Sequence, residues 1–579
     1  MIFIKEIFEN FNFYLNRKFK IRFFWIFILT LFASFIELIG IASLPLLVSS
    51  FFGSDLNFSL LEDFQKKFQI NNSIIFISFL ILFIFIFKNF YLSFVYFVEN
   101  KFGRDFNLFI KKKLYGGYLT LPYSFYLKDN PSTFTRNILD DTENVNWYFN
   151  VLSLFLRENI TVLFITSYLI FTDPITTISL LFFFSLIAYI FYFSLKNKIL
   201  FFSENDLNYR REQLKSLNQS FESIENIKIL NKYNFFKNKF SQFTYLKEKY
   251  SFYINYLNRL PKLILELAAI LAIVFVIIKY SLDKYEFNDF IAYLTLLIVC
   301  IVRFIPAFTA ITNCLVIIRK VKVSVDRLKK IIAEINISEA DSKIVSKING
   351  LENKIFKSTK IEINNVDFSY HNNQEKILND LSLTIENNDS VALIGVSGSG
   401  KSTLVKILLG LLKPNAGQIL FKNENIHDDI IKWHNNIGYI PQKIHLSDDT
   451  IKRNIAFGIE DDEIDEKKIN DVIQLSNLND FINHLPDKVN TIVGNQGSNI
   501  SGGQLQRIGI ARAIYRLPEV LIMDEATNAL DHDTEKKVIE SINKIKEIKI
   551  KIVISHRQST VESCNKIFSL KNGSIIKIK

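Results

Sequence analysis

Apolar positions in this chain fall into two textures. Before about residue 320 they run in long, nearly unbroken stretches at 22–50, 73–98, 149–171, 175–195, 261–280 and 289–318. Each stretch is long enough for a helix to cross about 30 Å of hydrocarbon, so the pattern predicts six membrane spans. The connections alternate in charge. Lys5, Arg17, Lys18 and Lys20 precede the first span; Lys101, Arg104, Lys111, Lys112 and Lys113 lie in 99–148; and 196–260 is long and Lys-rich. Thr172-Asp173-Pro174, by contrast, is almost a bare turn. Basic connections favour the cytoplasmic side, which is where both termini and the two long loops are expected. A stretch at 56–69 sets Leu60, Leu61, Phe64 and Phe68 against Glu62, Asp63, Lys66 and Lys67, the pattern of a short helix lying at the outer membrane surface.

The two basic loops are too long to be simple turns. Their flanking spans are expected to continue beyond the membrane as helices, with a short helix across the end of each hairpin, around 121–125 and 223–228. The texture changes after residue 320. A charged helix runs from Arg319 to Ala333, and a polar linker follows to about 358. From Ile361 onward the chain alternates short apolar strands, Gly turns and amphipathic helices. The expected organisation is a membrane domain over 1–320, a linker over 321–358 and an α/β domain over 359–579.

Composition agrees with this division. The chain has 56 Phe and 49% hydrophobic residues but only 22% charged ones, which excludes disordered, collagen-like and disulfide-scaffold classes. Cys300, Cys314 and Cys564 are too few for a disulfide framework, and the first two lie in an apolar stretch as buried thiols. The net charge of +11 is explained by Lys and Arg beside the spans, and nucleic acid is not an expected partner. No cleavable signal peptide is expected, because the N-terminus leads straight into the first span.

The chemistry lies in the second half. Ser390-Val391-Ala392-Leu393-Ile394 reads as a buried strand, followed by Gly395-Val396-Ser397-Gly398-Ser399-Gly400-Lys401-Ser402-Thr403 and an apolar helix. This is the phosphate-cradling G-x-x-x-x-G-K-[ST] loop in the strand–loop–helix setting it requires. Its glycines let backbone N–H groups turn inward, and the helix N-terminus adds a favourable dipole. Lys401 suits the β- and γ-phosphates, and the Ser402 hydroxyl suits Mg²⁺. A second apolar strand, Val520-Leu521-Ile522-Met523-Asp524-Glu525, ends in two carboxylates. Asp524 suits Mg²⁺, and Glu525 suits a base that polarises the attacking water. The expected fold class is a membrane α-helical bundle of six spans plus an α/β P-loop NTPase domain.

Ile500-Ser501-Gly502-Gly503-Gln504 lies shortly before the second strand and resembles the Leu-Ser-Gly-Gly-Gln signature of ABC transporters. The other elements of that family follow in order: Tyr370 as the adenine-stacking aromatic, Gln442 in Tyr-Ile-Pro-Gln, Ala529-Leu530-Asp531 as the D-loop and His556 in Ile-Ser-His-Arg. Six spans ahead of one such domain resemble an ABC exporter half-transporter. The resemblance implies a homodimer that holds ATP and Mg²⁺ between Tyr370, Gly395, Ser397, Gly398, Ser399, Gly400, Lys401, Ser402, Thr403 and Asp524 of one chain and Ser501, Gly502, Gly503 and Gln504 of the other. It further implies catalytic roles for Glu525, His556 and Gln442, with Mg²⁺ held by Ser402, Gln442 and Asp524. The two short loop helices then resemble coupling helices. One departure is Asn495, which stands where the family carries a Glu near the coupling loops.

The substrate is sought among ionisable groups in the spans, where charge is costly and marks function by default. Lys88, Lys262 and Arg303 are candidates for a basic cavity that would take an anionic group such as pyrophosphate. The bland alternatives are a Lys262–Glu266 pair on one helix face and a snorkelling Lys88. The chain is also similar to ABC flippases of lipid-linked oligosaccharides, through Phe35-Ile36-Glu37, Leu260-Pro261-Lys262 with Glu266, and Arg303-Phe304-Ile305-Pro306. That similarity implies a multi-pass protein of the inner membrane that moves a polyprenyl-pyrophosphate-linked glycan outward for protein glycosylation. The alternatives are export of another lipid of the lipid A type, a peptide or a hydrophobic drug. A non-transporting gated channel or regulator would need the same ATP site.

Overall fold

Each expected span becomes the apolar part of a longer helix in the computed structural model. Residues 2–51, 73–127, 131–283, 287–348, 359–370, 376–494, 500–528 and 530–579 are described. The expected surface helix at 56–69 lies outside them, as do Asn495 and Ala529. The helices are α1 (Ile2–Tyr14), α2 (Arg17–Phe51), α3 (Ser73–Thr120), α4 (Tyr123–Tyr126), α5 (Pro131–Arg136), α6 (Thr142–Thr172), α7 (Pro174–Glu222), α8 (Ile224–Ile229), α9 (Tyr233–Asp283) and α10 (Phe287–Ile348). A π-helical segment, Asn137–Asp141, joins α5 to α6. Among the described residues, α2, α3, α6, α9 and α10 carry apolar stretches of spanning length, and α7 covers the fourth expected span.

The extensions beyond the spans are helical because their apolar residues keep helical spacing. On α3, Phe102, Phe106, Ile110 and Leu114 are buried at every fourth position. Phe106 meets Phe19 of α2 and Phe149 of α6 edge to face, with centroids 5.5 and 5.0 Å apart. The extensions of α7 and α9 pack on one another through stacked Phe202–Tyr253 and Tyr209–Tyr250 rings. Short helices occur at both hairpin ends, α4 and α8. The stretch from 321, expected as a linker, begins as a continuation of α10, whose Val321, Val325, Leu328, Ile332 and Ile335 are buried.

The chain forms two compact units. One holds residues 1–119 with 131–336, and the other holds 120–130 with 337–579. The loop carrying α4 thus belongs to the α/β unit. Tyr123 packs against that unit's apolar core, with Lys406 Nζ 5.8 Å from its ring centroid.

The three cations expected to line a basic cavity have partners within the chain. Arg303 on α10 donates from Nε to Glu37 Oε1 at 2.6 Å and from Nη2 to Glu37 Oε2 at 3.1 Å. Its Nη2 also lies 2.9 Å from Glu158 Oε2 on α6. Arg157 continues the network, 2.8 Å from Glu99 on α3 and 3.6 Å from Glu158. Lys262 lies 3.7 Å from Glu266 on its own helix face, and Lys88 Nζ sits 4.5 Å from the Phe85 ring centroid. Arg303, Lys262 and Lys88 therefore each have a partner of their own, and they do not form a set of free cations. The physical reason is the cost of an uncompensated charge between helices in hydrocarbon, which draws carboxylates to Arg303.

The α/β unit contains two sheets. The first is antiparallel, ordered β2–β1–β4–β5, from β1 (Ile361–Phe368), β2 (Leu378–Ile385), β4 (Ala416–Phe421) and β5 (Glu424–Asn425). The second is ordered β10–β9–β3–β8–β7–β6, from β3 (Ser390–Ile394), β6 (Ile437–Ile440), β7 (Val520–Asp524), β8 (Ile550–Ile554), β9 (Lys566–Lys571) and β10 (Ser574–Lys577). Strands β9, β3, β8, β7 and β6 run parallel. The central strands are runs of Val, Ile and Leu because both faces are covered.

Removing the Arg303 side chain would strand two carboxylates between helices. Arg303→Met is expected to destabilise the detergent-solubilised protein by about 3 kcal/mol or more, read as a lower melting temperature. Adding Glu37→Gln should recover part of the loss. An unchanged melting temperature in Arg303→Met would contradict the network's structural role.

Candidate functional site

In a parallel sheet, ligands gather at the carboxyl ends of the strands. Four adjacent strands here deliver the expected residues to that one edge. β3 ends at Ile394 and opens the Gly395–Gly400 loop; β6 leads through Pro441 to Gln442; β7 ends at Asp524 before Glu525; and β8 leads through Ser555 to His556. The register pairs Asp524 with Ile554 and Ile440 with Met523, which keeps these ends level.

The loop after β3 is shaped around its backbone. A side chain at Gly395 would meet the Leu570 carbonyl at 2.5 Å and Ser399 Oγ at 2.8 Å, so only glycine fits there. Gly400 caps α11 (Lys401–Leu408) with a φ of 101°, in the left-handed region. Lys401 is only 8% exposed, and its ammonium donates to the carbonyls of Gly395 at 2.6 Å and Val396 at 3.0 Å. Ser399 Oγ is buried without a hydrogen-bond partner. A buried cation held only by neutral carbonyls, next to an unsatisfied hydroxyl, fits a phosphate-bearing ligand. The Tyr370 hydroxyl lies 3.4 Å from Thr403 Oγ1, and its ring stands edge to face on Phe368.

Glu525 is the most constrained carboxylate at this edge. Its φ of 51° is one that residues other than glycine rarely adopt, and its N–H donates to the Ile554 carbonyl at 2.9 Å. Its Oε2 accepts from Gln442 Nε2 at 2.7 Å and from Asn528 Nδ2 at 2.8 Å. Its Oε1 lies 3.6 Å from His556 Nε2. Three of the sequence-predicted residues, Gln442, Glu525 and His556, are thus brought together. Burial pushes the Asp524 carboxyl above its ordinary value and Glu525 adds to this, while Lys401 and Lys406 act in the opposite direction. A divalent cation there would meet a carboxyl whose ionised form it stabilises. Among the described residues no three His, Cys, Asp or Glu side chains gather as a metal site.

Ser501 and Gln504 have a local task that the sequence reading did not assign. They form a capping box at the start of α12 (Gly502–Ile514): Ser501 Oγ accepts from Gln504 N at 3.3 Å, and Gln504 Oε1 accepts from Ser501 N at 2.9 Å. Their hydrogen bonds run within this cap and make no link to the Gly395–Thr403 loop. Further along α12, Gly509 gives way to Ile444, whose Cδ1 would lie 2.3 Å from an added Cβ. This close approach sets α12 against the segment that carries Gln442.

Sequence reasoning also missed the support behind Glu525. Arg557 donates to the carbonyls of Asn528 and Leu530, both at 2.9 Å, and is itself held by Glu535 at 2.9 Å. Glu535 lies on α13 (His532–Asn543), is 2% exposed and also accepts from Thr560 at 2.6 Å. Burial works to raise the Glu535 carboxyl, but hydrogen bonds from Thr560, Thr527 and Arg557 outweigh it and hold it below its ordinary value. The Arg after the predicted His556 was the only available signal.

Comparison with known proteins follows this geometry. Residues 378–528 match the ABC transporter family, and residues 23–304 match the ABC transporter transmembrane region. An "export ATP-binding/permease protein" of Rickettsia typhi is 29% identical over 93% of this chain and 92% of its own. An "ATP-dependent lipid A-core flippase" of Saccharophagus degradans is 41% identical over 38% of this chain and 37% of its own. The structure of a bacterial Atm1-family ABC exporter with ATP bound superposes with a TM-score of 0.71 at 20% identity, covering 97% of this chain and 95% of that one. The last likeness is one of fold.

The Glu535 network predicts an acid-sensitive hinge behind the site. A carboxylate held below its ordinary value contributes stability above its unfolded-state pKa, and that contribution is lost as pH falls through the depressed value. Glu535→Gln is expected to cost the protein about 3 kcal/mol at neutral pH and to flatten its loss of stability below about pH 4.5. Thermal melts across pH 3–7 check this, and parallel curves for the two proteins would contradict it.

Proposed function

Since the chain belongs to the ABC transporter family, with an export-type membrane region ahead of its ATPase, we propose that it works as a homodimer that flips a polyprenyl-pyrophosphate-linked oligosaccharide from the cytoplasmic to the outer leaflet of the inner membrane. Both termini then lie in the cytoplasm. The observation that carries the ATP-driven part is the grip on Glu525 by Gln442 and Asn528, beside His556, at the strand edge that also presents the Lys401 loop.

In this reading Lys401, the backbone of Gly395–Gly400 and Ser399 hold the phosphates, Thr403 lies beside them, and Tyr370 stacks on the adenine. Ser501, Gly502, Gly503 and Gln504 of the partner subunit's signature close the site from the other side. Their pre-formed cap leaves helix N–H groups directed outward toward negative charge. Mg²⁺ would be held by Ser402, Gln442 and Asp524 and would neutralise charge on the phosphates. Glu525 orients the attacking water and draws on its proton, and His556 keeps that carboxylate and the terminal phosphate in line. Closure of the two ATPase units then drives the spans between their access states, with α4 and α8 as the coupling helices.

The glycan part rests on the likeness of the span segments to lipid-linked oligosaccharide flippases. The paired state of Arg303 gives it no free cation cavity. A second reading, export of another lipid of the lipid A type, is favoured by the lipid A-core flippase relatives, whose match covers 38% of this chain.

Glu525→Gln is expected to retain ATP binding and to lower turnover by about 10²- to 10⁴-fold, while Lys401→Ala loses binding itself. ATPase assays with parallel nucleotide-binding measurements check both, and unchanged turnover in the two variants would overturn the assigned site. In proteoliposomes, ATP-dependent movement of a polyprenyl-pyrophosphate oligosaccharide that vanishes in Glu525→Gln supports the glycan reading. Hydrolysis without that movement transfers the search to lipid A-type substrates.

A further inference from the structure

The helix that starts at the signature, α12, lays one face against the chain around Glu525. Gln506, Gly509 and Arg512 are three residues apart and share that face. Gln506 is 5% exposed, and its Nε2 donates to the Glu525 carbonyl oxygen at 3.4 Å. Gly509 makes room for Ile444. Arg512 donates to the His445 carbonyl at 2.9 Å, to the Asn454 carbonyl at 2.7 Å and to Asn454 Oδ1 at 3.0 Å. Asn454 is 1% exposed and bonds both the N–H of Ser447, at 2.9 Å, and its carbonyl, at 3.0 Å. The segment that follows Gln442 is therefore pinned to α12 at Ile444 and at His445.

Gln506 reaches Glu525 itself. The N–H of that residue is fixed on the Ile554 carbonyl, and its φ is 51°. Its carbonyl accepts from Gln506 and also from the Asn528 N–H at 3.3 Å. Gln506 thus helps to clamp the backbone conformation that sends the carboxylate toward Gln442 and His556. A strained residue keeps such a conformation where its surroundings over-determine it.

In the homodimer proposed above, each chain serves both ATP sites. Its Glu525 faces the ATP on its own Lys401 loop, while its Ser501–Gln504 turn closes over the ATP held by the partner subunit. Ser501 and Gln506 are about 7.5 Å apart along the axis of one helix. We propose that Gln506 is a positioning residue that couples the two ATP sites. ATP beneath the signature turn fixes α12, and Gln506 carries that constraint to the Glu525 carbonyl of the other site. A ligand at one site then alters turnover at the second, which is a coupling in the thermodynamic sense. The coupling rests on the homodimeric reading.

The test uses the full detergent-solubilised chain with ATP and Mg²⁺. Gln506→Met keeps the length and burial of the side chain and removes its amide donor. The Glu525 carbonyl retains the Asn528 N–H, so the variant leaves that acceptor satisfied and is expected to melt close to the native chain. Its kcat is expected to fall about tenfold with little change in KM. The Hill coefficient for ATP, above one in the native chain, is expected to fall to about one. Gln506→Asn, whose amide is one methylene short of the carbonyl, should show the same two changes. A loss of packing alone would lower the melting temperature and leave the Hill coefficient of the folded fraction as it was. Unchanged kcat and Hill coefficient in both variants, or a native Hill coefficient of about one, overturns the proposal. Light scattering of Glu525→Gln with ATP reads the dimer separately. A monomer there removes the homodimer and the coupling with it, whereas a dimer whose Hill coefficient ignores Gln506 removes the coupling alone.

Discussion

The α/β unit is organised around one carboxylate, Glu525, that is fixed in place and in direction. Its anchors come from three pieces of chain: the β8 end with His556 just beyond it, the segment after β6 and the turn containing Asn528. Apart from Asn528, three residues on, none is local in sequence, yet they converge because parallel strands deliver their carboxyl ends to one edge. The unfavourable backbone at Glu525 is tolerated for the same reason: its N–H is fixed on the Ile554 carbonyl, and its side chain has two amide donors. The two amides hold one oxygen and leave the other toward His556, so the carboxylate is oriented and not merely buried.

A second tier holds the first. Arg557 reaches two carbonyls of the turn that presents Asn528, and Glu535 keeps Arg557 in place. An arginine anchored on a 2%-exposed carboxylate is expensive to build and hard to deform. The Gly509–Ile444 approach does similar work on the other side, where it fixes α12 against the chain that leads to Gln442. Tyr123 of the α4 loop, seated on the apolar core beside Lys406, gives the same unit a fixed attachment to the chain between α3 and α5.

How much of this was legible from sequence follows from the range of each interaction. The spans were legible because hydrocarbon demands long apolar runs, and the P-loop because its glycines, lysine and hydroxyls are consecutive. The strand ends were legible because β3 and β7 are apolar runs, the first leading into the glycine loop and the second ending at Asp524. The pairing of Arg303 with Glu37 was not, because the two are 266 residues apart and nothing local distinguishes a paired arginine from a free one. The dual character of Ser501 and Gln504 was hidden for the opposite reason: a capping box is a local pattern, but the family signature claimed the same residues. Asn528 and Arg557 carried no pattern of their own, and their role appears only when the turn folds back on Glu525.

The charge distribution of the membrane unit then has a direction. Among the groups linked in the spans, Glu37, Glu99 and Glu158 stand against Arg157 and Arg303, so carboxylates outnumber guanidiniums where the medium is least polar. Beyond the spans Asp141 is held by Arg327 and Ser324 of α10. An added anion is disfavoured between the spans in this arrangement of helices. Two carboxylates of the network have a second cation or donor within reach, Arg157 for Glu158 and Ser153 for Glu99, whereas Glu37, among the described residues, is held by Arg303 and would be left bare if that pair opened.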